Sequence, residues 1–408
     1  MKKKIQIAEI LENFFSKNDI LEFGRKYPAK NIAASGGRKL SDTEKKQIEI
    51  DISDTYLNQI HFDILTTFAE EKLNKIKYIG FLLNLGEHLI SLGEFTFAKD
   101  IHKKVLKETK SEINLKNIAA NASYALGEIF SREANWIECF EYTKKAFNLF
   151  KQQNDFNGCA RCENLLGTVY GERGDLKEAA NHFEGSLHYL DEKKDIVLIG
   201  LIENNLGIIN NIYSNYDDAL FHYNRALINF QKLNDREKLA QIRHNIGITY
   251  IKKNEYAKAL NELDKSIAIS LNESIYSILG ISYVTKAFIY ARMEDVELSK
   301  AYADKAMEIC YKTNDKLSVA EIYKVEGMLK RIQQKYIQGE SFLKTSLRIN
   351  KEYKNKLNEA ETNLELGILY KQWKKPELAR KCLEDSLMYF KKIKAVHEIE
   401  NIEQHLTD

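Results

Sequence analysis

Residues 161–193 read RCENLLGTVYGERGDLKEAANHFEGSLHYLDEK, and this stretch decides the fold. Apolar residues recur at helical spacing on both sides of a glycine-containing turn at 171–174. In the second half, Ala179, Phe183 and Ser186 follow an i, i+4, i+7 pattern, so they share one face of a helix. Small side chains at the first and last of these positions let a neighbouring helix approach closely. The stretch therefore predicts an antiparallel helical hairpin.

Small residues keep the register of this hairpin at 40-residue intervals through most of the chain. The position of Gly167 is occupied in turn by Gly127, Gly167, Gly207, Gly247, Ala287, Gly327 and Gly367. The position of Ala179 is occupied by Cys139, Ala179, Ala219, Ala259, Ser299, Gly339 and Ala379. The position of Ser186 is occupied by Ala146, Ser186, Ala226, Ser266, Ala306, Ser346 and Ser386. A fixed period of this length is typical of a solenoid, which disfavours an enzyme because stacked repeats display a surface rather than enclose a reaction centre.

Two further positions of the repeat have a structural interpretation. Aromatic side chains fill the space beside the small residues at Phe130, Tyr170, Tyr250, Tyr290 and Tyr370. An Asp or Asn stands between units at Asp155, Asp195, Asp235, Asp315 and Asn355. Such side chains suit helix N-caps, where an oxygen accepts the free amide hydrogens of the first turn. We therefore expect these five residues to cap helices and not to take part in catalysis.

The pattern Leu166-Gly167-x-x-Tyr170 followed by Ala179-x-x-x-Phe183-x-x-Ser186 resembles the tetratricopeptide repeat. The resemblance covers about 76–390 and implies an all-α, right-handed superhelical α-solenoid of about eight helix-turn-helix repeats. The period is longer than the usual length of about 34 residues, as in the repeats of kinesin light chains, spindle-orientation scaffolds and bacterial peptide-sensing regulators. The early Trp of the family is missing, and its position holds Ser123, Glu163, Glu203, Arg243, Tyr283, Tyr323 and Asn363.

The flanks of the array do not repeat. Residues 1–75 are expected to form a non-repeating helical N-terminal segment, 76–390 the array and 391–408 a C-terminal capping helix. The N-terminal segment shows a short helix ending near Phe15, a loop over 28–37 and an apolar stripe over 48–68. In the capping helix we expect one apolar face and three outward carboxylates. The apolar face comprises Val396, Ile399, Ile402 and Leu406, and the carboxylates are Glu398, Glu400 and Glu403.

Composition limits the other functional classes. With 61 basic and 59 acidic residues, the net charge of +2 gives no electrostatic reason to expect binding to nucleic acid or to an anionic membrane. No apolar run is long enough for a membrane span and no signal peptide is evident, so we expect a cytoplasmic protein. Its five cysteines fit that compartment.

Two motifs that could suggest a metal site have simpler interpretations. Cys159 and Cys162 form a CxxC motif, but no second CxxC or HxxxH motif supplies the other two zinc ligands. His182 and His222 share a repeat position, which neighbouring repeats fill with Tyr142, Glu262 and Tyr302. We therefore predict no metal, no other cofactor and no catalytic residues.

The tetratricopeptide resemblance implies that the first helix of each pair lines a concave groove. The family's inward positions, together with one residue a turn deeper, predict peptide-binding residues at Asn84, Arg161, Asn164, Asn204, Asn205, Asn211, Gln241, His244 and Asn245. Amide side chains carry both donors and an acceptor, which matches an extended peptide backbone. The same positions in the last repeats are mixed in charge, at Glu321, Lys324, Glu361 and Glu365. An open alternative is that the asparagines bond to their own neighbouring helices.

These features together predict a non-catalytic scaffold that binds a peptide or protein segment in the concave groove. The alternative is a peptide-sensing signalling regulator whose N-terminal helices engage an effector. The partner and the oligomeric state stay open at this stage.

The repeat is least regular in its sixth and seventh units. Lys286 stands where an apolar residue is usual, Ala303 replaces a bulky residue, and Glu326 occupies another normally apolar position. Thinner packing lowers local stability, so we predict a hinge over 280–345 relative to 160–270.

Overall fold

The computed structural model describes residues 7–26, 59–110 and 113–407. Within them lie twenty α-helices, one short 3₁₀-helix at Ile113–Leu115 and no strand. The helices are α1 Ile7–Phe14, α2 Lys17–Lys26, α3 Gln59–Lys72, α4 Lys75–Leu92, α5 Phe95–Thr109, α6 Lys116–Arg132, α7 Trp136–Gln152, α8 Phe156–Arg173, α9 Leu176–Leu187, α10 Ile196–Ile212, α11 Tyr216–Lys232, α12 Arg236–Lys252, α13 Tyr256–Asn272, α14 Tyr276–Arg292, α15 Val296–Thr313, α16 Lys316–Ile332, α17 Tyr336–Glu352, α18 Lys356–Gln372, α19 Pro376–Ile393 and α20 Val396–Thr407.

Helices α4 to α19 form eight consecutive helix–turn–helix pairs, which we number as repeats one to eight. This confirms the predicted all-α helical-repeat solenoid. The chain divides into two compact units, 1–169 and 170–408, and the division falls within α8. Each unit is described by itself below.

Small residues sit where the two helices of a pair come closest. A Cβ atom added at Gly207 would lie 2.6 Å from the ring of Tyr223, and one added at Gly367 would lie 2.6 Å from Leu383. The partner side chains are almost fully buried, so they have little room to move. The small-against-large packing that the register predicts is therefore present in these pairs.

The turns between helices follow a second regularity. A residue with positive φ recurs every 20 residues through most of the array, and many of these residues are not glycine. Examples are Glu294, Lys354 and Lys374, with φ of 59°, 56° and 59°. The left-handed conformation ends one helix and lets the next begin two residues later. Non-glycine residues adopt it at an energetic cost, so these turns are held by the packing around them.

Four of the five predicted N-caps form. The side chains of Asp155, Asp235, Asp315 and Asn355 accept the backbone N–H three residues ahead, at 2.8–3.1 Å. The prediction for Asp195 is wrong, because its carboxylate makes no capping bond and instead accepts the backbone N–H of Asp191 at 2.9 Å. The turn before α10 comprises residues 188–195 and is longer than the other described turns of the array. The Asp195 carboxylate bonds to an N–H group within this turn instead of to the start of α10.

The position of the missing family Trp is paired with the residue 19 positions later on the second helix. His222 Nδ1 lies 2.7 Å from Glu203, and Arg243 lies 2.7 Å from Glu262. Glu203 is fully buried and also lies 3.0 Å from Arg225 Nε, so this carboxylate contacts two side chains of the second helix. At His222, the repeat position that it shares with His182 is thus used for a bond between the two helices of a repeat.

The polar residues of the irregular repeats also have partners. Lys286 is buried, lies 2.6 Å from Asp264, and its ammonium group is 4.4 Å from the centre of the Tyr302 ring. Glu326 is likewise buried and lies 2.6 Å from Lys300. Ion pairs between helices occupy these positions in place of apolar packing.

In the first unit, the N-terminal helices pack on the first repeat. Phe15 lies 5.6 Å from Phe68 and 5.5 Å from Phe81, measured between ring centres. The predicted short N-terminal helix corresponds to α1, and the end of the predicted apolar stripe lies in α3. The predicted loop over 28–37 and the start of that stripe lie outside the described residues. Among the helices described, none is both long enough and apolar enough to cross a membrane.

Candidate functional site

In the first unit, Asn84 bonds within its own helix, and Arg161 contacts the first helix of the preceding repeat. Asn84 is exposed and donates to the carbonyl of Gly80 at 3.0 Å. Arg161 stacks over Tyr124, 4.1 Å from the ring centre, and donates to Asn121 at 3.3 Å. Asn164 differs, because its Oδ1 atom is buried and finds no hydrogen-bond donor within the described chain.

In the second unit, two of the predicted asparagines bond directly to each other. Asn245 Nδ2 donates to Asn204 Oδ1 at 3.0 Å, which joins the first helices of the fourth and fifth repeats. Asn205 is half-buried nearby, and Asn211 is only 8% exposed. For the pair Asn204 and Asn245, the structure therefore agrees with the alternative that the asparagines bridge neighbouring helices.

His244 is buried in the second unit. It is 8% exposed, and its Nδ1 lies 3.3 Å from the hydroxyl of Ser282 on the next first helix. Burial lowers its pKa to about 4, so the ring is neutral at physiological pH. Gln241, one turn earlier, accepts a hydrogen bond from Lys238 at 3.2 Å.

A cavity of about 520 Å³ lies further along the second unit, between the first helices of repeats five to eight and α20. Its apolar wall is formed by Ile248, Val284, Phe288, Val325, Leu364 and Phe390. None of the nine predicted residues lines it. The equivalent inward positions of repeats six to eight, however, do line the cavity. Among these are Val284, Thr285, Glu321, Lys324, Glu361 and Leu364.

A buried lysine organises the charges on the floor of this cavity. Lys324 is 3% exposed and lies 2.6 Å from Glu321 and 2.5 Å from Glu361. Beside it, Arg292 donates to Glu365 at 2.9 Å. An ammonium between two carboxylates can remain charged in a buried site, because the attraction offsets the loss of hydration.

The two carboxylates respond differently to this lysine. Burial raises the pKa of Glu321, and the neighbouring Glu361 adds to this effect although Lys324 opposes it. Burial would also raise the pKa of Glu361, but Lys324, together with Lys252 and Arg292, holds that pKa below its usual value. Burial opposes the charge of Lys324, yet the two carboxylates together raise its pKa. Of the two, Glu361 is therefore the firmer counter-ion.

Helix α20 covers the cavity and contacts a distant part of the second unit. Glu398 forms an ion pair with Lys252 at the end of α12. The backbone N–H of His397 donates to Ser214 Oγ, in the turn between α10 and α11, at 3.2 Å. Ile402 is fully buried against the last repeat.

This arrangement corrects part of the sequence-based description of the helix. Glu398 does not point outward, because it faces Lys252 across the cavity, and Val396 is 50% exposed rather than on the buried face. Ile399, Ile402 and Leu406 pack as predicted. The start of α20 contacts α12, whereas its apolar residues pack on the last repeat. The apolar spacing within α20 predicts only the contact with the last repeat.

The two cysteines of the CxxC motif are buried. Burial raises the pKa of both Cys159 and Cys162, so neither thiol is poised to react at neutral pH. No group of three or more potential metal ligands occurs within the described ranges.

Comparison with known proteins supports the repeat assignment. Two family models described as tetratricopeptide repeat match residues 198–272 and 281–313. Comparison with curated protein sequences finds no significant match.

Several solved structures share the fold. Aspartyl phosphate phosphatase F from Bacillus subtilis has a TM-score of 0.61 and 13% identity, over 98% of this chain and 96% of that one. A Rap protein in complex with Competence and Sporulation Factor has a TM-score of 0.58 and 15% identity, over 98% of both chains. The Rap conjugation gene regulator of plasmid pLS20, in complex with the Phr* peptide, has a TM-score of 0.54 and 15% identity, over 81% of this chain and 98% of that one.

The family matches lie within the forty-residue register, and two of the structural matches extend over nearly the whole chain. The protein is a tetratricopeptide-repeat protein, and its fold resembles that of bacterial peptide-sensing regulators.

Proposed function

We propose that the cavity beneath α20 binds a short peptide or an extended segment of a partner protein, and that the protein is non-catalytic. The observation that carries this proposal is the convergence of inward register positions from repeats six to eight on one cavity, which residues of repeat five and α20 complete. The cavity combines an apolar wall with side chains that donate and accept hydrogen bonds, including Asn254, Asn401 and Gln404. Apolar contact area with a few polar groups is what a peptide site needs.

The structural neighbours support the same function. Two Rap proteins with this fold were solved in complex with a factor or a peptide. The predicted groove asparagines would then act mainly as a rigid support beside the cavity, since Asn204 and Asn245 are bonded to each other. A nucleic acid or membrane partner is not proposed, because the charges of the chain are balanced.

A selection experiment tests this proposal. A random linear peptide library is selected on the immobilised full chain, and the affinity of each enriched peptide is measured by fluorescence anisotropy. Ile248→Trp, on the cavity wall, is expected to weaken binding by about tenfold or more, because the added ring fills the site.

The matched control is Ile208→Trp, at the same repeat position one unit earlier. Ile208 is 38% exposed and does not line the cavity, so this variant should bind normally. Equal loss in both variants, or no enriched peptide, would contradict the proposed site.

A second candidate function is a peptide-sensing regulator in which the N-terminal helices engage an effector. The observation in its favour is that two structural neighbours match 98% of this chain and therefore include its N-terminal helices as well as its repeats. Hydrogen exchange in α1 to α3, measured with and without a selected peptide, separates the candidates. Altered exchange in these helices supports a regulator, whereas unchanged exchange supports a simple scaffold.

The non-catalytic assignment has its own test, since one neighbour is described as an aspartyl phosphate phosphatase. Release of phosphate from acetyl phosphate, a simple acyl phosphate, is measured with and without the chain. We expect the background rate, and a rate that increases with protein concentration would refute the non-catalytic assignment.

A further inference from the structure

Helix α20 makes two separate contacts in the second unit. One face seals the last repeat, where Ile402 and Leu406 pack with Leu364 and Phe390. A terminal helix that only caps an array needs no more than this contact. The other edge of α20 reaches the fourth and fifth repeats, and capping does not explain that reach.

The second contact is polar and small. It consists of the His397 N–H bond to Ser214, the Glu398 ion pair with Lys252, and an edge-on contact between the rings of His397 and Tyr216 at 6.2 Å. The bonded residues are 183 and 146 positions apart in sequence. No apolar cluster in the described part of the chain joins α20 to the fourth or fifth repeat.

The two contacts therefore differ in strength. The apolar contact buries Ile402 completely, whereas the side chains of Lys252 and Glu398 remain 25% and 15% exposed. One carboxylate oxygen of Glu398 is also buried without a hydrogen-bond partner in the described structure. Because partly exposed ion pairs stabilise little, the polar contact is the one that opens more readily.

The repeats supply the motion that opening requires. Each repeat touches mainly its neighbours, so the curvature of repeats five to eight can change through small rotations at several interfaces. Such a change would carry α20 away from α12 while it stays packed on α18 and α19. The cavity would then be open on the side that Lys252 and Glu398 now close.

We propose that α20 is a latch on the binding cavity, and that a peptide gains access when the Lys252–Glu398 and His397–Ser214 contacts break. This inference rests on the proposed function of the cavity. Only the open fraction of molecules can bind, so the latch lowers the apparent affinity for the peptide and slows its association. Weakening the latch should therefore accelerate binding.

The first test needs no ligand. The His397 amide is in the first turn of α20, where it has no partner within its helix, so its protection depends on Ser214. Residue-resolved hydrogen exchange is measured on the full ligand-free chain. Glu398→Gln is expected to speed exchange at this amide by about fivefold, the effect of losing a partly exposed ion pair. Unchanged exchange overturns the latch whether or not the cavity binds peptides.

The matched control is Glu403→Gln on the same helix. Glu403 pairs with Lys391 of α19 at 2.9 Å, away from the latch. Its substitution should leave exchange at His397 unchanged. Equal acceleration in both variants would indicate general fraying of α20 and would overturn the proposal.

The second test uses a peptide enriched from the library, followed by stopped-flow fluorescence. Glu398→Gln should raise the association rate about fivefold. The double variant Lys252→Glu with Glu398→Lys restores an ion pair and should return the rate toward that of the wild type. A direct contact between Glu398 and peptide would instead lower affinity in both variants, and that result would refute the latch while leaving the binding site intact.

Discussion

His244 provides a quantitative test of how deeply the first helices are packed. Burial lowers its pKa from 6.5 to about 4, so between these pH values the ring is mostly neutral in the folded chain and mostly protonated in the unfolded chain. Stability contributed by this neutral ring is complete above the unfolded pKa and is lost as the pH falls from 6.5 toward 4. The two values imply a loss of about 2 kcal/mol at pH 5 relative to pH 7.5.

The substitution His244→Gln removes this titration and keeps a polar side chain near Ser282. We expect the wild type to lose about 2 kcal/mol more free energy of unfolding than the variant between about pH 7.5 and pH 5. Urea denaturation followed by circular dichroism gives this difference.

A control substitution, His188→Gln, removes an exposed imidazole from the adjacent region. The free energy of unfolding of His244→Gln should still depend on pH, because the buried His102 makes a similar contribution. Burial also lowers the pKa of His102 to about 4. Parallel stability curves for wild type and His244→Gln would show that His244 is accessible in solution. That result would refute its assignment as a packing residue and restore it as a candidate ligand contact.

Three further predictions concern packing and turns. Gly207→Ala should destabilise the chain by about 1–3 kcal/mol in urea, because its Cβ would lie 2.6 Å from the buried Tyr223 ring. Gly171→Ala meets nothing closer than 3.9 Å and should be neutral or stabilising, so equal losses would refute the close-approach account. Lys374→Gly should stabilise by about 0.5–1 kcal/mol, since φ is +59°, and a loss of stability would show that the turn is not strained. Amides in 280–345 should exchange faster than those in 160–270, and uniform rates would remove the predicted hinge.

Much of the local structure follows from the sequence because each repeat encodes it in the same positions. The glycine at 207 marks the contact with Tyr223, and Asp235 marks the start of α12, because both interactions occur within one unit or its adjoining turn. The exception at Asp195 arises where that turn lengthens. Short-range periodicity is sufficient for helix pairing and capping.

The cavity beneath α20 could not be predicted in the same way. Its floor depends on the pairing of Lys324 with Glu361, from successive repeats, and its cover depends on the meeting of Glu398 with Lys252. Such contacts depend on the rotation between repeats, which accumulates over several units. The sequence identifies the inward positions of each repeat. It does not show which of the charged residues at those positions form ion pairs.

Photo-crosslinking tests the central claim most directly. A peptide enriched from the library carries one photoreactive residue, is bound to the full wild-type chain and is crosslinked, and mass spectrometry then identifies the attached residues. We expect attachment within 248–256, 284–292, 361–365 or 396–404, which border the cavity, and its loss in Ile248→Trp but not in Ile208→Trp. Attachment confined to the second helices of the repeats, or to residues 1–169, would contradict the assignment of the cavity beneath α20 as the binding site.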